Sequence, residues 1–310
     1  MRNVVAYLLG LAVVLSPVEL ARAQSSEPDD RRLRRSHVTI EPLDRNKLDG
    51  ARLPDELKRD LRSLIHEGID MPVVQLRCED KPGAVWTLRL PENGILGTKG
   101  VSGYQTKYQW EQDGPNAFSY DWHPITRVEM SRVTNTKMEG RVRARVWVDK
   151  DRRVAFEIVY RNDSTEEWVM PATWVCLIHR YAGPGKSYYR SRDRLRPTAD
   201  VPAKEGVWLK WFAVKGRERF AEACGQWIGG AVDLSPGVAE TPELVWRSDE
   251  PAGFEVRIGS DQAGLLGWGK WPCTDLGLVG RNLEPGGTRV YRGWLEMGIV
   301  DGAATEPPGK

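Results

Sequence analysis

The amino-acid sequence predicts an all-β protein, an antiparallel two-sheet β-sandwich with one N-terminal amphipathic helix. Three observations carry this. After Met71 the apolar residues recur with period two, in short segments punctuated by Gly, Pro, Asn and Asp. Helical patterns do not alternate with these segments, which argues against a parallel α/β sheet. The third is composition: 13 tryptophans in 310 residues, with 40% hydrophobic and 28% charged side chains. That is an ordinary globular balance, enriched in a side chain that suits both sheet cores and surfaces stacking on flat ligands.

Residues 1–23 read as a secretory leader: Arg2, an apolar run from Val4 to Leu15, and a small-x-small site at Ala21-Arg22-Ala23. The run is too short to span a bilayer, and no later segment has the length a membrane helix needs. The expectation is a secreted or periplasmic chain with no integral membrane segment after cleavage. Without the leader, 43 basic and 42 acidic side chains remain of the 45 and 43 in the whole sequence. Such a balance leaves no global field to attract a polyanion, so nucleic acid is not expected as a partner.

Residues 24–70 read as a polar arm. Up to Gly50 it is dense in Arg, Asp, Glu and Pro. A helix is expected at about 54–67, with Pro54 in its first turn, Leu57, Leu61, Leu64 and Ile65 on one face, His66 on the surface of its last turn and Gly68 as its stop. The sandwich domain is then expected over 71–300, followed by a disordered tail at 301–310. Its clearest element is a hairpin. Val142, Ala144, Val146 and Val148 alternate with Arg141, Arg143, Arg145 and Trp147, Asp149 to Arg152 turn, and Val154, Phe156, Ile158 and Tyr160 resume the alternation. Further strands are expected at Val73–Arg77, Val85–Leu90, Phe118–Trp122, Arg127–Val133, Thr173–His179, Val207–Phe212, Leu244–Arg247, Gly253–Ile258, Leu265–Trp268 and Thr288–Met297. Only Glu218–Trp227 competes as a second helix.

Four cysteines, Cys78, Cys176, Cys224 and Cys273, allow two disulfides in three connectivities, or four small buried hydrophobes. Their wide spacing lacks a C-x-x-C, and H-E-x-x-H, EF-hand, P-loop, G-x-G-x-x-G and G-x-S-x-G signatures are absent. No metal site and no cofactor are therefore expected. In TWVCLIHRYAGPG, Cys176 and His179 are three apart on a strand and point to opposite faces, so they do not converge on one ligand. His179 and Arg180 are expected to emerge at the strand end beside the loop from Tyr181 to Gly185.

Candidate binding residues come from charge in register with aromatics. Arg190, Arg192, Arg194 and Arg196 recur every second residue with Tyr188, so an extended strand would line them up on one side. This reads as a surface for carboxylates or sulfates, which the guanidinium fork pairs with bidentately, or as a solvated loop balanced by Asp193. Arg141, Arg143 and Arg145 with Trp147 form a second ladder, open to a sugar or covered by acids of the arm. FSYDWHP places Tyr120, Trp122 and His123 at a strand rim before Pro124. An extracellular, acidic carbohydrate bound through Trp122, Arg141, Arg143, Arg145, Trp147, Arg180, Arg190 and Arg192 is the favoured function. The rival from the enzyme class is a polysaccharide lyase in which His123, His179 and Tyr189 abstract and return a proton beside a uronate held by arginine. A structural envelope or protein-interaction module is the third reading.

The C-terminal run WGKWPCTDLGLVGRNLEPGGTRVYRGWLEMG resembles the last strands of large secreted sandwich proteins. It has a tryptophan-rich strand, a cysteine, a turn at Pro285 to Gly287 and a closing strand. With the Asn162-Asp163-Ser164 turn and the strand around Trp174 and Cys176, residues 70–300 look like envelope or secreted families of sugar-polymer-degrading bacteria. More distantly they resemble galactose-mutarotase-like supersandwiches. The resemblance implies a jelly-roll or supersandwich arrangement of the two sheets and assigns no catalytic residue.

Overall fold

The computed structural model describes residues 32–43, 55, 73–96, 99–102, 109–123, 125–129, 132–137, 139–191, 194–200, 209–220, 232–233, 238–269 and 272–301. Among these, 22 strands form two sheets packed against each other, the expected β-sandwich. The smaller sheet runs Arg194–Pro197 (β14), Gly185–Ser191 (β13), Glu243–Ser248 (β18), Phe254–Gly259 (β19), Thr288–Val300 (β22), Val154–Asn162 (β11), Gly140–Val148 (β10), Ala117–Trp122 (β7) and Glu111–Gly114 (β6), with Leu33–Arg35 (β1) beside β22. The larger runs Val232–Asp233 (β16), Leu209–Val214 (β15), Ala263–Gly269 (β20), Cys273–Val279 (β21), Ala172–Tyr181 (β12), Val85–Leu96 (β4), Lys99–Ser102 (β5), Ile125–Glu129 (β8) and Arg132–Lys137 (β9). Val238–Ala239 (β17) pairs β15, Val73–Cys78 (β3) pairs β4, and Val38–Leu43 (β2) pairs β3. Pairing is antiparallel except where β15 meets β16 and β17.

Period two does the sorting. On β10, Val142, Ala144 and Val146 are wholly buried while Arg141, Arg143 and Arg145 are exposed. Phe156, Ile158 and Tyr160 of β11 and Tyr291, Leu295 and Met297 of β22 continue the inner face. From the larger sheet come Leu76, Trp86, Leu88, Val175, Leu177, Phe212, Leu266 and Leu276. Trp86 stands edge-on to Trp246 at 6.1 Å and stacks on Phe254 at 5.7 Å, so large rings from both sheets interlock at the centre. Three buried tyrosines of the smaller sheet carry their hydroxyls across. Tyr160 donates to Thr173 Oγ1 at 2.9 Å, Tyr120 to the Leu90 carbonyl and Tyr291 to the Pro171 carbonyl. Each satisfies a polar group that would otherwise be buried unpaired, at a cost of about 1–3 kcal/mol.

The structure departs from expectation at several elements. Residues 33–43, expected in the polar arm, form β1 and β2: Val38, Ile40 and Leu43 are buried, a short alternation hidden among charges. Arg127–Val133 divides into β8 and β9, and β13 and β21 were not anticipated as strands. Strand β21, CTDLGLV, lacks alternation because both of its faces are covered, which erases the signal. The expected helix at 54–67 lies outside the described residues except for Asp55, which is helical; of Glu218–Trp227 only 218–220 are described, and they are helical. His179 does not emerge at the strand end. Strand β12 continues to Tyr181, and the His179 ring is 7% exposed in the core, 5.6 Å from the Trp246 ring.

Two expectations follow. Gly293 of β22 faces Phe156 of β11, and a Cβ there would run into the phenyl ring. Gly293→Ala should therefore lower stability in urea unfolding by about 1–3 kcal/mol, and by less in a Phe156→Leu background. Burial pushes the His179 imidazole down to about 4, below its ordinary 6.5. A depressed base contributes stability that is present above pH 6.5 and is lost as pH falls through 4, about 2 kcal/mol of it between pH 7 and 5. The measurement is the difference in that loss between wild type and His179→Phe; equal losses would contradict it.

Candidate functional site

Two regions concentrate chemistry, one on each outer sheet face. On the smaller sheet the arginine ladder of β10 stands open. Arg145 Nε lies 3.2 Å from Asp113 Oδ2, Arg143 Nη2 donates to Ser119 Oγ at 3.4 Å, and Arg141 Nε is 3.7 Å from Oδ2 of Asp163, whose Oδ1 pairs with Arg161 at 2.6 Å. The Arg145 guanidinium is 5.1 Å from the Trp147 ring centroid. Strand register adds a residue the sequence reading missed. Trp147 is opposite Ala155, and Ala155 is opposite Trp294, so the two indoles flank a methyl group on one face. Two strand spacings separate them by about 10 Å. Trp294 lies over Gly259 of β19, where a Cβ would be 2.7 Å from its Cζ2, and the Arg153 guanidinium is 5.7 Å from its ring. In sequence, Trp294 is one of many tryptophans; only pairing through β11 reveals its relation to Trp147.

Of the other proposed residues, Arg190 lies on this same outer face, two strands beyond Gly259 beside Glu243, and the rest are placed apart from it. Trp122 turns inward, 5% exposed and stacked on Tyr120 at 5.3 Å, so it offers no surface for a sugar. His123 is exposed at the end of β7, its Nδ1 donating to the Gly140 carbonyl at 3.0 Å. Tyr189 stacks on Phe212 of the opposite sheet at 4.3 Å. His123, His179 and Tyr189 therefore sit in three different settings, two of them within the inter-sheet core. Arg180 is exposed, with its guanidinium 5.7 Å from the Tyr181 ring, and Arg190 approaches Glu243 at 3.7 Å. Arg192 lies outside the described residues. The chain reverses between β13 and β14: Arg190 pairs with Leu195, whereas Arg196 pairs with Tyr189 and Arg194 with Ser191. Arg190 thus faces away from Arg194 and Arg196, and the four-residue ladder expected of a single strand is not formed.

The second region is a buried polar cluster on the outer face of the larger sheet. Strand parity turns Val175 and Leu177 into the core and Trp174 and Cys176 outward, so Cys176 and His179 do lie on opposite faces. Register then brings Arg89 of β4 opposite Cys176, and Asp275 of β21 opposite Cys176 on its other side. Cys273, two residues before Asp275, completes the group. Cys176, Cys273 and Asp275 are 2%, 8% and 4% exposed, and their Sγ, Sγ and carboxylate atoms lie within 4.8 Å of one another. Cys273 Sγ is 3.8 Å from Asp275 Oδ2, while Asp275 Oδ1 is buried with no hydrogen-bond partner. Arg89 Nη1 holds Glu92 Oε1 at 2.5 Å at the side of the cluster.

Electrostatics follow from that burial. Desolvation, reinforced by the nearby Glu92 charge, pushes the Asp275 carboxyl up to about 7. The Cys176 thiol is raised well above its ordinary value by its hydrogen bond with Cys273 and then by burial. For Cys273 the same hydrogen bond lowers the pKa, and burial with the Asp275 charge outweighs it, so the net shift is upward. Cys78, Cys176 and Cys273 are free thiols, and Cys224 lies outside the described residues. The sequence reading weighed Cys176 against His179 along the chain and missed Asp275, Cys273, Arg89 and Glu92, which come from other strands.

Among the described residues no helix is long and apolar enough to cross a membrane. No family model matches the chain, and no curated protein does. Among solved structures, a TPR-domain containing protein from Parabacteroides distasonis ATCC 8503 is similar at 12% identity and a TM-score of 0.34, over 78% of this chain and 48%, about half, of that one.

Proposed function

We propose that the protein binds an acidic extracellular carbohydrate on the open face of its smaller sheet. The observation that carries this reading is the placement of Trp147 and Trp294 two strands apart on one face, each beside an arginine, with Arg141 and Arg143 extending the row. Indole rings stack on the apolar faces of pyranoses, and guanidinium forks pair with uronate or sulfate groups. The ion pairs on this face are exposed; the Arg145 and Arg292 side chains are 44% and 69% accessible opposite Asp113 and Glu157. Pairs of that kind are worth about 0–1 kcal/mol, so a ligand carboxylate can displace a protein carboxylate at small cost. The leader-like residues 1–23 support a ligand met outside the cytoplasm. Near-neutral overall charge makes recognition local to the patch rather than general to polyanions.

Affinity electrophoresis on alginate, pectin and sulfated galactan tests the proposal. Retardation on at least one polymer is expected, weakening as salt is raised because exposed charges carry part of it. Trp147→Ala and Trp294→Ala should each weaken binding about tenfold, as expected for loss of one stacking ring in a small site. Migration unchanged on all three polymers removes the reading, and release of an unsaturated uronate during the run would show a lyase instead.

A further inference from the structure

We propose that Cys176, Cys273 and Asp275 form a binding site for a thiophilic divalent cation of the zinc class. The site lies on the opposite sheet from the carbohydrate face and stands independently of that reading. Three donor atoms of the right chemistry, two sulfurs and a carboxylate oxygen, converge within 4.8 Å in a setting where all three residues are nearly inaccessible. They come from two adjacent, regularly paired strands, so the sheet itself holds them. Asp275 Oδ1 provides the second observation: a buried carboxylate oxygen with no hydrogen-bond partner beside two thiols. A buried acceptor left unpaired is costly, and a cation supplies what it lacks.

Ligand type selects the ion. Thiolate donors favour zinc-like metals over calcium or magnesium, which take oxygen ligands. Zinc binds sulfur at about 2.3 Å and carboxylate oxygen at about 2.0–2.2 Å, and a group already gathered this closely needs only small side-chain adjustments to reach those distances. A tetrahedral zinc takes four donors, so the set requires one beyond these three. Trp211 lies over Gly267, the residue opposite Asp275, where a Cβ would be 2.5 Å from its Cζ3. With Trp174 on the other side, the indoles shield the cluster from water.

A disulfide is the competing use of the two thiols, and register disfavours it. Cys273 is directly opposite Ile178, which makes it a diagonal neighbour of Cys176. Diagonal pairs are about 7–8 Å apart, beyond the ~4.4–6.8 Å between Cα atoms that disulfides span. A metal bridging two sulfurs through two bonds does not require that approach.

The experiment uses the reduced protein freed of metal and titrated with Co²⁺. One equivalent should produce a thiolate-to-cobalt charge-transfer band and strong visible ligand-field bands, both abolished by added Zn²⁺. Cys176→Ser and Cys273→Ser should weaken binding at least about tenfold and diminish the charge-transfer band, Asp275→Asn should weaken binding comparably while keeping that band, and Cys78→Ser should change neither. If the cysteine variants do not fold, X-ray absorption of the zinc-loaded wild type decides. At least two sulfurs with an oxygen in the shell are expected, and fewer than two overturn the proposal. A silent cobalt titration of the fully reduced protein, or a Cys176–Cys273 disulfide in the peptide map of protein purified without reductant, overturns it equally.

Discussion

The structure depends on one constraint: two sheets must each give up one face to the other, and the rings between them must interlock without leaving polar atoms stranded. Trp86, Trp246 and Phe254 fill the centre, with Phe156 fitting where Gly293 has no side chain. Apolar burial of this kind contributes roughly 25 cal/mol per Å² but has no directional preference. Direction comes from Tyr120, Tyr160 and Tyr291, whose hydroxyls each reach a partner on or beside a strand of the larger sheet. Sliding one sheet over the other would break all three bonds in a setting without water to replace them.

Once the inner faces are assigned, the outer ones follow by parity, and they differ in character. The outer face of the smaller sheet is open: Arg141 and Arg145 are solvated and paired with Asp163 and Asp113, and Arg143 donates to Ser119. Exposed charge is inexpensive there and exchangeable. The outer face of the larger sheet is covered around Trp174, Trp211 and Phe220. Beneath that cover, Asp275, Cys176 and Cys273 keep polar atoms where apolar ones would pack more favourably. Burial and a neighbouring carboxylate hold Asp275 near neutrality in pKa. One sheet face thus carries exposed, exchangeable charge and the other a secluded set of polar atoms.

Particular residues show how far the sequence could be read. The β10–β11 hairpin was legible because one face meets water: the valines alternate with arginines, and the pattern survives intact. Strand β21 was not, since it is covered on both faces and contains Gly277 beneath Trp174. Strands β1 and β2 are too short and too charged at their margins to stand out from an arm. Trp122 and Trp147 both stand near the end of a strand, Trp122 between Asp121 and His123 and Trp147 between Val146 and Val148, yet the one with polar neighbours stacks in the core and the other faces out.

By itself, then, the sequence determined the class of the protein and the inside-outside sense of its clearest strands, because alternation is a local property of extended backbone. It also placed Cys176 and His179 on opposite faces from spacing alone. Only the tertiary structure decided which strands are neighbours. Trp147 meets Trp294 across an intervening strand, and Cys176 meets Asp275 and Cys273 about a hundred residues later in the chain. Register between distant strands arises from matching whole faces, with their rings, gaps and hydroxyl partners, and that match is not encoded in any single segment.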